Sequence, residues 1–267
     1  MNVGVIGLGA VGLPTARYIS QYHTVYGLDL SIDKVKVAND YFEATEEWSK
    51  LPRVDVYTIC VNTWWRGNKP DMSAIEDVCR HMKERNDAEL VSIESTVSLG
   101  TCRKIRKEIF DEKITISSFP HRLYPRMEKE YGVRQIRVLG SLPENGVAEG
   151  FYQSIDIPFI KVSPLELAEL SKLTENSYRF IEIAFAEELA LLCERHGLDF
   201  DTLRRACNTL KRKEEDWQVQ IMEARDGIGG TCLPKDIMFL CESANPKELI
   251  LGAALTDEVY KKHKRIV

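Results

Sequence analysis

Hydrophobic and polar positions follow two different patterns along this chain. Up to residue 162, short apolar runs of strand length are separated by longer amphipathic stretches. The strand-like runs are 2–7 (NVGVIG), 24–30 (TVYGLDL), 55–61 (DVYTICV), 90–94 and 114–117, with shorter ones at 138–139 and 159–162. Residues 13–22, 73–85 and 102–110 carry helical periodicity, and 62–70 (NTWWRGNKP) reads as a polar loop. Strands alternating with helices predict a mostly parallel, doubly wound sheet. Ligands of such sheets bind at the carboxyl ends of the strands. Those ends carry Asn62, Thr63, Ser95, Thr96 and the segment Pro120–His121–Arg122.

From residue 163 the pattern becomes helical throughout. Ser163-Pro164-Leu165-Glu166 reads as a capping box with proline at the first helical position. No glycine or proline then interrupts the chain until Gly197. At 1.5 Å per residue this predicts a helix over 164–196, roughly 50 Å long. That is more than one small domain needs, so the helix is expected to link two domains or two subunits. Lys172, Asn176 and Arg179 share one face of it, with Leu173, Phe180, Ile183 and Ala184 making the surrounding surface apolar. A lysine and an amide so placed suit the stabilisation of an oxyanion. Further helices are expected at 200–208, 213–224 and 247–264. The predicted organisation is a sheet domain, 1–162, followed by an all-α domain built on the long central helix, 163–267.

The first strand runs into Gly7-Leu8-Gly9-Ala10-Val11-Gly12, and the second ends in Asp29. This is G-x-G-x-x-G between a strand and a helix, with an acid about 20 residues on. The glycines allow a tight turn and close approach of a pyrophosphate to the backbone of Gly7, Gly9, Ala10, Val11 and Gly12. The helix N-terminus offers N–H groups to the phosphates, and Asp29 can accept from a ribose 2′-OH. The pattern predicts a Rossmann-like dinucleotide-binding domain. An acid at Asp29 favours NAD over NADP, and Lys34 lies within reach of the same ribose.

Composition narrows the picture further. The net charge is −5, so bulk charge gives no reason to expect a nucleic-acid partner. The seven cysteines form no CxxC pair, which argues against both a disulfide framework and a zinc site, and for a reducing compartment. No apolar run approaches the roughly 20 residues of a membrane span. The N-terminus opens on a strand without signal-peptide layout. A cytoplasmic protein with no bound metal and no membrane contact is expected. Trp64 and Trp65 read as a hydrophobic lid or contact surface, and the basic residues at 261–265 as a solvated end.

The remaining chemistry lies in 227–236, GIGGTCLPKD. Gly229 and Gly230 let the chain turn tightly before Cys232. Lys235 and Asp236 supply one cation and one anion beside that thiol. A neighbouring lysine favours the thiolate, which is the nucleophile.

Taken together, the segments 7–14 (GLGAVGLP), 60–63 (CVNT), 94–101 (ESTVSLGT), 168–190 and 227–236 resemble the UDP-glucose/GDP-mannose dehydrogenase family. They occur in family order, cover nearly the whole chain, and lie nearest to the UDP-N-acetylmannosamine dehydrogenase branch. The resemblance implies oxidation of a nucleotide-sugar C6 alcohol to the acid in two NAD-dependent steps. It implies that Cys232 is the nucleophile and that Lys172 and Asn176 stabilise the oxyanion and position water. Asp236 would assist proton transfer, and Thr96 would lie near the nicotinamide. The cofactor set is then Gly7, Gly9, Ala10, Val11, Gly12, Asp29, Lys34, Asn62, Thr63, Ser95, Thr96 and Lys235. The long helix corresponds to the family's dimer-forming element, and Arg212 to an arginine reaching a neighbouring subunit.

Several positions depart from the family pattern. His121 stands where a glutamate is usual, and is the base candidate in its place. Trp64 replaces a proline and Glu187 an asparagine. Family members also continue for on the order of 100 residues, a domain's worth, past the position of Val267. Two alternatives stay open: a non-catalytic NAD-binding protein acting with a partner, and a dehydrogenase of a small hydroxy acid, which needs no Cys232.

Overall fold

A computed structural model describes residues 1–124, 127, 132–225 and 227–264. The chain forms two compact units, Met1–Lys172 and Leu173–Val267.

The first unit opens with β1 (Asn2–Ile6), α1 (Gly12–Ile19), β2 (Thr24–Leu28), α2 (Ile32–Ala38) and β3 (Glu43–Thr45). It continues through β4 (Val56–Ile59), the short strands β5 (Trp64–Arg66) and β6 (Lys69–Asp71), and α3 (Ser73–Arg85). Then come β7 (Leu90–Ile93), α4 (Thr101–Glu108), β8 (Thr115–Ser118), β9 (Arg137–Leu142), α5 (Val147–Ser154) and β10 (Phe159–Lys161). Eight of these strands make one sheet in the order β10-β9-β8-β7-β4-β1-β2-β3. Every pairing is parallel except β8 with β9, where Ser117 faces Ser141.

β4, β7 and β8 are buried at every position, as parallel strands covered on both faces must be. One face packs Ile75, Cys79 and Met82 of α3 and Cys102 and Ile105 of α4 against Ile59, Val91, Ile93 and Ile116. The other packs Ala16 and Ile19 of α1 and Ala148, Phe151 and Tyr152 of α5 against Val3, Val5 and Leu139. Each such aliphatic side chain contributes about 1.5–3 kcal/mol by leaving water. β4 and β1 are neighbours, so the chain reverses direction across the sheet there, and the segments after β1 and β4 flank the crevice of a doubly wound fold.

α6 (Glu166–Arg195) begins in the first unit and continues into the second. The second unit adds α7 (Phe200–Cys207), a two-stranded ribbon of β11 (Lys211–Arg212) and β12 (Trp217–Gln218), α8 (Cys232–Ser243) and α9 (Glu248–Lys264). Its core is Phe180, Ile183, Ala184, Ile228, Ile237 and Ala253.

Several local expectations fail for identifiable reasons. The expected loop 62–70 contains a hairpin, because Gly67 and Asn68 both take positive φ (57° and 60°), as a two-residue turn of this type requires. The expected helix 213–224 does not form. Asp216 is left-handed, and the side chain of Asn208 accepts from the Ile221 N–H at 2.7 Å and donates to its carbonyl at 3.1 Å, holding it extended. The capping box is absent: Ser163 donates to Glu144 and Glu166 pairs with Arg103, and α6 starts two residues later than expected, at Glu166. α2, β3 and α5 are additional elements that the pattern did not mark. Of the basic residues at 261–265, Arg265 lies outside the described residues.

Candidate active site

The turn from β1 into α1 depends on two glycines. A Cβ on Gly12 would lie 1.7 Å from the Gly7 carbonyl oxygen, and one on Gly7 would lie 2.7 Å from the Cys60 carbonyl. Gly7 also has φ +90°, which side chains rarely adopt. Gly9 differs: a Cβ there would meet only the Lys34 ammonium, at 4.0 Å. The space over Gly9, in front of the first N–H groups of α1, is therefore open to a phosphate.

Asp29 follows β2 and is 8% exposed. One carboxylate oxygen accepts from the Leu8 N–H at 2.7 Å and the other from Ser31 at 2.9 Å. Lys34 pairs with it at 3.2 Å. The acid thus braces the glycine turn, and Lys34 is held by the acid itself. Glycine turn, open helix terminus and acid fit NAD.

Past β4, Asn62 is exposed and Thr63 is buried, donating to the Thr96 carbonyl at 2.7 Å. Ser95 donates to the Val61 carbonyl at 2.7 Å. These contacts tie the ends of β4 and β7 together and leave the Thr96 side chain half-exposed.

Behind them lies a buried charged cluster. Glu94, 2% exposed, accepts from Tyr152 at 2.8 Å and pairs with Arg137 at 2.7 Å and with His121. Burial pushes the Glu94 carboxyl up, but Arg137 and His121 outweigh it and bring it to about 2. His121 goes down to about 4, through burial first and the Arg137 charge second, against the pull of Glu94; Lys172 adds a little. The ring is therefore neutral at pH 7. A Cys60, a Glu94 and a His121 donor atom lie within 4.8 Å of one another. Such donors suit a metal, but the Arg137 guanidinium already supplies the cation that Glu94 needs.

Lys172, in the first unit, is half-buried on α6. In the second unit Asn176 donates to Asp236 at 2.5 Å, and Asp236 is 1% exposed. Lys235 also pairs with Asp236, and its ammonium lies 4.2 Å over the Phe239 ring. The lysine expected to act on the thiol is thus committed to the neighbouring acid. Cys232 is exposed at the first position of α8, with the Thr231 hydroxyl 3.9 Å from its sulfur. Helix N-termini favour negative charge placed against them. The loop before it is clamped to α9: Asp257 accepts from the Ile228 N–H at 2.7 Å, and Lys261 reaches the Ile228 carbonyl at 2.9 Å and Asp257 at 2.7 Å.

The sequence reading named Asp29, Thr63, Asn176 and Asp236 and gave no role to Glu94, Arg137, Thr15 or Asp257, which the structure ties into hydrogen-bond and ion-pair networks. A charged residue opening the buried strand RVLGSL was the one visible signal for Arg137.

Comparison with known proteins gives the same picture. Residues 36–149 match the NAD binding domain of the UDP-glucose/GDP-mannose dehydrogenase family, and 166–261 match its central domain. UDP-N-acetyl-D-mannosamine dehydrogenase of Pyrococcus horikoshii is 31% identical over 91% of this chain and 65% of its own length. The Methanocaldococcus jannaschii protein of that name is 30% identical, covering 100% of this chain and 68% of its own. The solved Pyrococcus horikoshii structure superposes with a TM-score of 0.85 at 28% identity, over 97% of this chain and 69% of that one. The chain thus spans about two thirds of the length of the relatives it matches. With both domain matches in order and NAD as the cofactor of the first, this chain belongs to the UDP-glucose/GDP-mannose dehydrogenase family.

Proposed function

We propose that the chain oxidises the C6 alcohol of a nucleotide sugar to the carboxylate, with two NAD consumed per sugar. NAD, when bound, accepts one hydride in each oxidation. Thr96 lies beside the reacting carbon, and Lys235 belongs to the cofactor side of the site. In the first step C6 loses a hydride while its hydroxyl proton passes to water, giving the aldehyde. The Cys232 thiolate then adds to that carbonyl, forming a C–S bond, and Lys172 and Asn176 hold the resulting oxyanion. Loss of the second hydride converts the thiohemiacetal into a thioester. Water, deprotonated by His121, attacks the thioester; the C–S bond breaks and the thiolate returns, with Asp236 assisting proton transfer. Covalent attachment retains the aldehyde between the two oxidations.

The observation that carries this reading is the buried Asp236, held by Asn176 and Lys235 in the same turn of helix that Cys232 opens. Few roles other than chemistry call for an acid, an amide and a thiol so arranged at a helix terminus. α6 also exposes Tyr178, Phe185 and Leu192 at seven-residue spacing, which supports self-association of two copies along that helix.

The test is NADH release on mixing the protein with NAD and UDP-glucose, UDP-N-acetylmannosamine, UDP-N-acetylgalactosamine or GDP-mannose. Two NADH per sugar with free acid as product is the expected result. Cys232→Ser should abolish acid formation; full NADH yield in that variant would remove the thioester route. Bound NAD with no turnover of any sugar would favour a non-catalytic NAD-binding role.

A further inference from the structure

His121 is held in a way that fixes which of its two nitrogens is basic. Its Nε2 faces two oxygens at once, the Thr15 hydroxyl at 3.1 Å and a Glu94 carboxylate oxygen. The Thr15 hydroxyl has one hydrogen, and it is donated to the Val11 carbonyl at 2.9 Å. Toward His121 it can therefore only accept. Glu94, held ionised by Arg137, can also only accept. A nitrogen facing two acceptors must carry the proton. The other nitrogen, Nδ1, is buried and has no hydrogen-bond partner among the described residues.

The orientation of Glu94 is itself determined. Ser117 donates to Ser92 at 2.9 Å, Ser92 contacts Tyr152 at 2.5 Å, and Tyr152 donates to Glu94 at 2.8 Å. These hydroxyls run in one direction and end on the carboxylate, polarising one another along the way. Arg137 donates to the same oxygen that meets His121.

We propose that Glu94 and Thr15 lock His121 as the Nε2–H tautomer, so that Nδ1 is the unprotonated, basic atom of the ring and Glu94 is the residue that positions it. This rests on the assignment of His121 as the hydrolytic base, and it identifies the atom involved.

The test uses the whole chain labelled with ¹⁵N-histidine. Long-range ¹H–¹⁵N spectra at pH 7 assign the tautomer, with His121→Asn identifying the signals. Protonated Nε2 and unprotonated Nδ1 are expected; the opposite tautomer, or a doubly protonated ring, would overturn the proposal. This reading needs no variant of the cluster to fold. Glu94→Gln, where folded, should keep the rapid first release of NADH and slow steady turnover at least tenfold, with a mixed tautomer. Unchanged turnover there would reject Glu94 as the positioning residue. An Nε2–H ring in a protein that oxidises no nucleotide sugar would defeat the functional reading alone. An Nδ1–H ring in an active enzyme would defeat the tautomer alone.

Discussion

Glu94 and Glu187 are both almost fully removed from water, at 2% and 0% exposure. Their neighbours push them in opposite directions. Glu94 has a guanidinium, an imidazole and a phenol turned toward it and falls to about 2. Glu187, on α6, is raised to about 8, through burial first and then the Asp257 carboxylate beside it. Lys261 and Arg225 pull it back only partly, because Lys261 is committed to Asp257 and the Ile228 carbonyl. Neither Glu187 oxygen makes a hydrogen bond of good geometry among the described residues. Burial opposes the charge of both acids. The availability of a cation and of donors decides whether the charge survives it.

The largest effect should come from removing the cation that makes the difference. Arg137→Met would leave Glu94 buried without its permanent cation, beside only a neutral imidazole and a phenol, at a cost of about 3–5 kcal/mol in urea unfolding at pH 7. The double variant Glu94→Gln/Arg137→Met should recover much of that; equal losses in both would mean that Arg137 acts through packing on Phe119 instead.

Next is Glu187→Gln. Its folded value of about 8 lies above the ordinary 4.5, so the native state holds a proton that the unfolded chain has lost. The stability this confers is present below about pH 4.5 and is lost as pH rises through about 8. Glu187→Gln should therefore stabilise the protein by on the order of 1–3 kcal/mol above pH 8 and leave it unchanged at pH 4.5. Thermal unfolding across that range checks it, and a gain independent of pH would remove the titration argument.

The cluster around Glu94 has the reverse sign. His121 is depressed from 6.5 to about 4 and Glu94 from 4.5 to about 2, so the unfolded chain binds more protons. Stability is lost as pH falls from about 6.5 through 4 for the histidine, and on toward 2 for the acid. His121→Asn should flatten the first part of that acid limb by about 1–2 kcal/mol. The smallest effect is expected of Thr15→Val, which removes one acceptor and keeps the Glu94 pair, at about 1 kcal/mol.

Most of the sheet could be read from apolar runs because β4 and β7 are buried on both faces and are mostly apolar. What escaped was set by single side chains. Asn208 holds Ile221 extended where a helix was expected, and no periodicity reports such a contact. The Gly67–Asn68 turn did have a signal, two residues that accept positive φ between short runs, but the polar loop reading hid it. At the site, Asp29 was singled out by its spacing after the glycine turn, and Asp236 by its place beside Cys232 and by the family resemblance. Glu94 and His121 were each visible alone. Their meeting depends on β7 and β8 being neighbours, which is a tertiary fact. Glu187 was noticed as a departure, but its consequence comes from Asp257, 70 residues away along the chain.

Cysteine placement has a practical corollary. Cys79, Cys102, Cys193 and Cys241 are buried, Cys60 and Cys207 are half-buried, and Cys232 is exposed. An alkylating reagent in small excess should therefore be consumed at one position, giving the chain a natural attachment point for a dye or a mass tag. The same asymmetry makes air a selective threat to this protein: without a reductant, sulfenic acid should form first at Cys232, while the buried thiols stay protected.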